Sequence, residues 1–421
     1  MKFKFVLFTL FIYSVANGQS LTKKALFLGN SYTYVNNLPQ LIANAAASAG
    51  DSLIFDNNTP GGYTLQGHTT NVSSLEKISL GNWDYVVLQE QSQLPSFSDP
   101  EVEAAVFPYA KKLDSIINAE NPCAETVFYM TWGRKNGDAA NCVNWPPVCT
   151  YNGMDSLLNK RYRIMADDNN GILSPVGAVW KYIRQNYPLI ELYQSDESHP
   201  SIAGSYAAAC CFYTALFRKD PTLITFNSTL SAADAANIKD AAKLVVFDNL
   251  MEWHIGEYDP MANFSYANAG GSQIDFTNNS ENASQYLWDF DDGTTSTATN
   301  PTHKFLADGT YNVKLLASKC GAQDSVIQPI NIATLGTQTQ NSNANYFTIY
   351  PNPATNEINL KIENPALIGA VYVVYNVSGK PEMTGTINAL NQVIKMDNFS
   401  NGLYFLQVGE HLKKTFKLLK Q

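Results

Sequence analysis

Three polar residues in the first half of the chain are of the types that acyl transfer needs. Hydrolysis of an ester by a serine requires a hydroxyl beside an imidazole, a group that orients the imidazole, and donors aimed at the developing oxyanion. Gly29-Asn30-Ser31-Tyr32-Thr33 directly follows the apolar run ALFLG and precedes a helix-forming stretch, so Ser31 falls on a strand-to-helix turn with its hydroxyl in the crevice. The N–H groups of a helix start there also favour negative charge. Much further on, Asp196-Glu197-Ser198-His199-Pro200-Ser201 opens the run IAGSYAAACCFYTALF. An aspartate three residues before a histidine, on a loop, can place both side chains on one side of the turn. Asp196 would then hold the ring, and His199 would take the proton from Ser31; the ordinary pKa of histidine, near neutrality, suits a general base. Each segment also has a plainer reading as a helix cap, with Ser31 at one start and Asp196 or Ser198 followed by Pro200 at the other.

The elements that must hold these residues are legible as alternation. ALFLG (25–29) reads as a strand, LPQLIANAAASAG as a helix, SLIFDNN as a strand, DYVVLQ (84–89) as a strand, 101–119 as a helix and TVFYMTW (126–132) as a strand. Strand and helix in turn imply a parallel sheet covered by helices on both faces. Ligands of such sheets sit beyond the carboxyl ends of the strands, which is where Ser31 falls. After Asp259 the text changes to short β-type runs (IDFTNNS, YLWDFDDGT, HKFLADGTYNVKLLAS, DSVIQPINI) that read as a small sandwich. The polar stretch ATLGTQTQNSNAN reads as a linker, and the last segment again alternates strand and turn, with turn signals at PNPATN, VSGK and SNG.

Bulk properties bound the function. With 421 residues the chain is long enough for two or three domains. A net charge of -9 and a pI near 5.1 disfavour binding to a phosphate backbone, so nucleic acid is not an expected partner. Residues 1–18 run from Lys2 and Lys4 through FVLFTLFIYSVA to Ala16 and Gly18, the pattern of a cleavable export signal. Its apolar part is too short to span a bilayer, and no transmembrane anchor is expected. In an oxidising compartment Cys142 and Cys149, in one Asn/Pro-rich loop, are candidates for a short disulfide, whereas Cys210 and Cys211 lie in an apolar run as buried small residues. His68 and His254 have no ligand partners at metal spacing, and no dinucleotide or phosphate-cradling fingerprint occurs. Neither metal nor cofactor is expected.

In combination, the two polar segments resemble the SGNH (GDSL-like) hydrolase family, over roughly residues 23 to 220. GNSYT matches the family's nucleophile block and DESHPS its last block, while TPGGYTL places Gly61 and Gly62 at the oxyanion glycine, with Gly62 the better match. Two departures stand out. Asn30 replaces the motif's aspartate, and VVLQEQSQLP stands where the family has Gly-x-Asn-Asp. Gln89, Gln91 or Gln93 would supply the missing amide, with Gln89 and Gln91 nearer the strand end; this looks like a divergent bacterial branch, in which TWGRKNGD and CTYNGM also recur. Trp132, Arg134 and Lys135 either line the pocket, with Arg134 meeting an acidic or sugar group, or only shape a loop. The resemblance implies a flavodoxin-like three-layer α/β sandwich and a serine ester hydrolase using Ser31, His199 and Asp196. Its oxyanion hole would comprise the Ser31 N–H, the Gly62 N–H and a glutamine.

YLWDFDDGTTS with NPTHKFLADGTYNVKLLAS resembles a PKD domain, with Trp288 and Tyr311 facing the core and Asp291 standing where the family usually has glycine. YPNPATNEINLKI, VYVVYNVSGK and FSNGLYFLQVGEHLKKTFKLLK resemble, in order, the C-terminal sorting domain of the type IX secretion system. That likeness implies a Bacteroidota-type host, the type IX machinery as a partner, and passage across the outer membrane to the surface or the medium. The expected organisation is an export signal (1–18), an SGNH hydrolase domain (19–257), a PKD domain (258–334), a linker (335–346) and a sorting domain (347–421), the last two domains being all-β sandwiches. Carbohydrate esters, acetyl groups on polysaccharide among them, are the leading substrate class. A lipase or general carboxylesterase with the same triad is the second reading, and an inactive surface glycan-binding or adhesion protein the third.

Overall fold

The computed structural model describes residues 20–333, 347–377, 379–409 and 414–421. The expected signal (1–18) and linker (335–346) lie outside the described residues. In the first domain β1 (Thr22–Leu28), β2 (Ser52–Asn58), β3 (Tyr85–Leu88), β4 (Glu125–Tyr129) and β5 (Ile172–Ser174) pair in parallel, in the order β2-β1-β3-β4-β5. All four residues of β3 are buried, as a strand covered on both faces requires. This is the flavodoxin-like strand order, whose switch point lies between β1 and β3.

Among the described residues ten α-helices accompany these strands, seven of them between strands and three after β5: α1 (Ser31–Tyr34), α2 (Leu38–Ser48), α3 (Leu65–His68), α4 (Val72–Ile78), α5 (Asp99–Ala105), α6 (Phe107–Glu120), α7 (Tyr151–Asn169), α8 (Val176–Asn186), α9 (Ile202–Phe217) and α10 (Ala232–Val245). One layer gathers α2, α8 and α10 around α9, and the other gathers α4, α5 and α7 around α6. Every residue of α9 from Ala203 to Phe217 is buried, so this helix is apolar all round and serves as the axis of its layer. The single helix expected over 101–119 is instead two. It breaks at Val106 (φ -122°, ψ -62°), just before Phe107-Pro108, where the proline ring cannot continue a preceding turn. The run TVFYMTW leaves the sheet at Tyr129, and Met130 to Trp132 continue as loop.

The next module has two sheets made from β6 (Phe264–Gly270), β7 (Gln273–Asn278), β8 (Gln285–Asp289), β9 (Thr295–Ser296), β10 (Thr302–Lys304), β11 (Gly309–Lys319) and β12 (Ala322–Ile332). Their orders are β10-β7-β6 and β12-β11-β8-β9. Trp288 is fully buried among Phe264, Phe276 and Phe290, while Tyr311 is only partly buried against that core. Asp291 adopts φ +62°, the left-handed conformation for which glycine is the usual choice. The last module again has two antiparallel sheets, of three and four strands, closing on Ile358, Leu360, Val374 and Leu406.

Two disulfides are formed. Cys142–Cys149 is the short bridge expected from sequence. The other, which no spacing or motif suggested, joins Cys123, just before β4, to Cys320 between β11 and β12, across 197 residues. Beside it Arg218 pairs with Asp259 and with Glu125 (3.3 Å), and the Asn282 amide donates to the carbonyls of Glu257 (3.2 Å) and Asp259 (3.4 Å). Cys210 and Cys211 remain as buried thiols inside α9.

Candidate active site

Ser31 is the first residue of α1, three positions after β1 ends, at the switch point of the sheet. The approach is tight. A Cβ on Gly29 would come within 2.5 Å of Thr33 Oγ1 and 2.7 Å of Gln89 Oε1, so only glycine lets the chain turn there. Asn30, 2% exposed, caps the turn: its Oδ1 accepts from Tyr32 N–H (3.1 Å), and its Nδ2 donates to the Tyr63 carbonyl (2.8 Å) and the Glu90 carbonyl (3.5 Å). An aspartate, the residue of the family motif, has no proton for either carbonyl at neutral pH. The Ser31 N–H, at the first helical position, has no intrahelical acceptor.

Asp196 and His199 lie on the loop between α8 and α9, closed by a bridge between Tyr193 and Pro200. Asp196 Oδ1 accepts the N–H groups of Ser198 (3.1 Å) and His199 (3.0 Å), while Oδ2 meets His199 Nδ1 at 2.5 Å. Burial raises the Asp196 pKa, but the His199 ring bond and these N–H groups outweigh it and hold the carboxyl below its ordinary value. With Nδ1–H given to Asp196, Nε2 is the free acceptor of the imidazole, and it lies 2.8 Å from Ser31 Oγ. The structure thus brings the three residues of the expected triad into one hydrogen-bonded line.

What fixes that line was mostly not read from sequence. Asn36, at φ +56°, donates to the carbonyls of Pro200 and Ser201 (both 3.0 Å) and to Ser205 Oγ (2.9 Å), tying the segment after α1 to the histidine loop. Tyr32 Oη bonds Ser198 Oγ (2.7 Å), and Trp132 Nε1 donates to the Ser198 carbonyl (3.1 Å). Trp132 itself is fully buried, stacked between Tyr32 (4.7 Å) and Trp180 (3.8 Å), so it supports the floor instead of lining the opening. Arg134 pairs with the buried Asp138 (3.3 Å) and Lys135 with Glu191 (2.5 Å). Beneath Ser31, the fully buried His68 donates from Nε2 to the Gly29 carbonyl (3.0 Å) and accepts from Ser74 Oγ at Nδ1 (2.7 Å); its burial lowers the pKa to about 4, against the weaker pull of Gly29. His254 lies between Asp167 (3.0 Å) and Glu257 (2.5 Å). Among the described residues no group of three or more His, Cys, Asp or Glu is arranged to hold a metal ion.

The glutamines serve other contacts than those expected of them. Gln89 is fully buried: its Oε1 accepts from the Asn30 N–H (2.9 Å) and Thr33 Oγ1 (3.0 Å), and its Nε2 donates to the Glu90 carbonyl. It braces the nucleophile turn from below instead of offering an amide to the opening. Gln91 Oε1 accepts the N–H groups of Gln93 (2.7 Å) and Leu94 (3.1 Å), and its Nε2 donates to Gln93 Oε1 (3.2 Å); Gln93 donates in turn to Asp138 (2.6 Å). Gln89 satisfies the backbone of the nucleophile turn and Gln91 the N–H groups of its own loop, as buried backbone requires, whereas Gln93 meets the Asp138 carboxylate. Gly62 stands on the exposed turn before α3 at φ +67°, next to the Tyr63 carbonyl that Asn30 grips. Glu90, which sequence reading passed over, is fully buried as well. Its signal was a charge set against a wholly apolar strand, in VVLQE.

Two segments match known families. Residues 259–333 match a PKD domain, and residues 348–421 match a secretion system C-terminal sorting domain. The sorting domain marks the chain for export to the cell surface or beyond, and among the described residues no helix is long and apolar enough to cross a membrane. No curated protein matches the sequence. Solved structures similar to parts of the chain include a DUF4886 family protein from Bacteroides uniformis, at 19% identity over 52% of this chain and 93% of that one, with a TM-score of 0.47. The psychrotrophic esterase EstA from Pseudoalteromonas sp. is similar at 14% identity over 47% of this chain and 97% of its own, with a TM-score of 0.33. The PKD1 domain of the Vibrio cholerae metalloprotease PrtV is similar at 33% identity over 18% and 99%, with a TM-score of 0.17.

Proposed function

We propose that this chain is an exported serine carboxylic ester hydrolase of the SGNH type, acting on acetyl esters of carbohydrate. The observation that carries the reading is the line Ser31 Oγ to His199 Nε2 (2.8 Å) and His199 Nδ1 to Asp196 Oδ2 (2.5 Å) at the switch point of a flavodoxin-like sheet. Ser31 Oγ attacks the ester carbonyl carbon as its proton passes to His199 Nε2, and Asp196 stabilises the resulting imidazolium. The carbonyl electrons move to an oxyanion received by the N–H groups of Ser31 and Gly62. Collapse expels the alcohol with the proton from His199 and leaves an acetyl ester on Ser31. Water, deprotonated by His199, then releases acetate and restores the hydroxyl.

Support for a sugar substrate comes from the export route, the appended PKD module and the character of the surroundings. Asn136 and Glu197, hydrogen-bonded to each other, are polar and reach solvent at the histidine loop, and Tyr34 on α1 is an exposed aromatic of the kind that stacks on sugar rings. The test is acetate release from p-nitrophenyl acetate and acetylated xylan by the purified chain, beside Ser31→Ala. Turnover of acetylated xylan that disappears in Ser31→Ala supports the whole reading. A preference for long-chain p-nitrophenyl esters moves the substrate to lipid, and a Ser31 that ignores a fluorophosphonate probe rejects the hydrolase.

A further inference from the structure

Glu90 lies two residues beyond the end of β3 and is fully buried, yet it touches both the nucleophile loop and the glycine turn. Its Oε1 accepts the N–H groups of Gln91 (2.6 Å) and Leu65 (3.1 Å), and its Oε2 also faces Leu65 N–H (3.3 Å). Leu65 is the first residue of α3, three positions after Gly62, so the carboxyl holds the downstream end of the glycine turn against β3. The Glu90 carbonyl accepts from Asn30 Nδ2, the same amide that grips Tyr63 O, and from Gln89 Nε2. Its N–H donates to Tyr162 Oη of α7 (3.3 Å). Residues 30 and 65, on two separate loops, are therefore fixed relative to one another through residue 90, and Asn30 holds Tyr63 in turn.

We propose that Glu90 is a positioning residue that sets the glycine turn against Ser31, so that the Gly62 N–H meets the oxyanion. This inference rests on the hydrolase reading above. The acceptor oxygen is the working part, because Oε1 alone takes both N–H bonds, and a glutamine oxygen in its place keeps them. Tyr162 is the titratable group facing the carboxyl from α7; the contacts from the nucleophile loop, the glycine turn and its own loop are the neutral Asn30, Leu65, Gln89 and Gln91. Among the described residues no cation pairs with this carboxyl, and burial pushes the Glu90 pKa up to about 8 against the two N–H bonds. Ionisation above that pH puts a negative charge behind the turn that must receive the oxyanion, and so slows the chemical step.

The experiment measures kcat and KM on p-nitrophenyl acetate between pH 6 and 9.5 for the full exported chain, Glu90→Leu, Glu90→Gln and Ser31→Ala. Leucine removes the acceptor, and kcat should fall about 100-fold with KM nearly unchanged, the loss typical of a misplaced oxyanion donor. Glutamine should restore most of the rate and abolish the fall in kcat that the wild type shows above pH 8. A folded Glu90→Leu with wild-type kcat overturns the proposal, as does an alkaline fall that persists in Glu90→Gln. Where the leucine variant does not fold, the glutamine profile alone decides. A wild type no more active than Ser31→Ala removes the hydrolase reading, and this inference with it, whereas the other negative results leave that reading standing.

Discussion

The two ends of the five-stranded sheet are built differently. At the carboxyl ends, the loops bearing Ser31, Gly62 and His199 are joined chiefly by hydrogen bonds from neutral side chains, Asn30 to Tyr63, Asn36 to Pro200 and Trp132 to Ser198. At the amino ends, the α/β domain is joined to the PKD module by a covalent bond, Cys123–Cys320, and by the ion pair of Arg218 with Asp259. β4 separates Cys123 from the mouth by five residues, roughly 17 Å of strand. The appended module is thus anchored at the end of β4 opposite the mouth. One end is arranged for reaction, with small polar contacts that place atoms; the other is arranged for mechanical union.

That contrast can be broken from either side. The largest effect is expected at the mouth, where Ser31→Ala or His199→Ala should lower kcat on p-nitrophenyl acetate by on the order of 10⁴-fold or more with an unchanged melting temperature. At the opposite end, Cys123→Ser with Cys320→Ser should do the reverse. The loop closed by this bridge is long enough that its loss costs up to about 5 kcal/mol of stability by chain entropy. Calorimetry should show a lower and split transition, while kcat stays as in the wild type; a large fall in kcat would deny that the two ends are independent. Asn30→Asp sharpens the account of the mouth. It sets a carboxylate against the carbonyls of Tyr63 and Glu90, and kcat should drop by about 10- to 100-fold, an interaction loss of about 2 kcal/mol.

The smallest effect expected is on pH dependence. His68 is held neutral by burial, its pKa lowered from its ordinary value to about 4, so the unfolded chain takes up a proton between pH 6.5 and 4 that the folded chain refuses. Stability from this group is present above pH 6.5 and is lost as the pH falls towards 4. Replacing His68 by Gln should flatten the dependence of stability on pH over that window, removing a loss of about 2 kcal/mol at pH 5, and an unaltered slope of melting temperature against pH would place the sensitivity elsewhere.

The triad was legible in the sequence because each member sits where local pattern speaks: Ser31 directly after an apolar strand, and Asp196 and His199 in one loop before an unmistakably apolar helix. The architecture was legible for the same reason, down to the change of composition after Asp259. The orientation of Gln89 and Gln91 was not legible, since the type of a side chain does not tell which neighbours its amide will meet. Glu90 was overlooked because its partners, Leu65 and Asn30, are 25 and 60 residues away in sequence. The same holds for Cys123 and Cys320, whose pairing depends on how two domains meet, whereas Cys142 and Cys149 share a loop short enough to predict the bridge. The break at Val106 was readable from Pro108, and a helix spanning both was the wrong reading of an amphipathic stretch.

The burial of Cys210 and Cys211 inside α9 also bears on how the correct bridges are selected. Burial raises both thiols far from their ordinary range, Cys210 to about 12, so neither supplies the thiolate that attacks a disulfide. Once α9 has formed, six cysteines compete as four, and the number of complete pairings falls about fivefold. The apolar helix that fills the core therefore also acts as a proofreader of the chain's covalent topology.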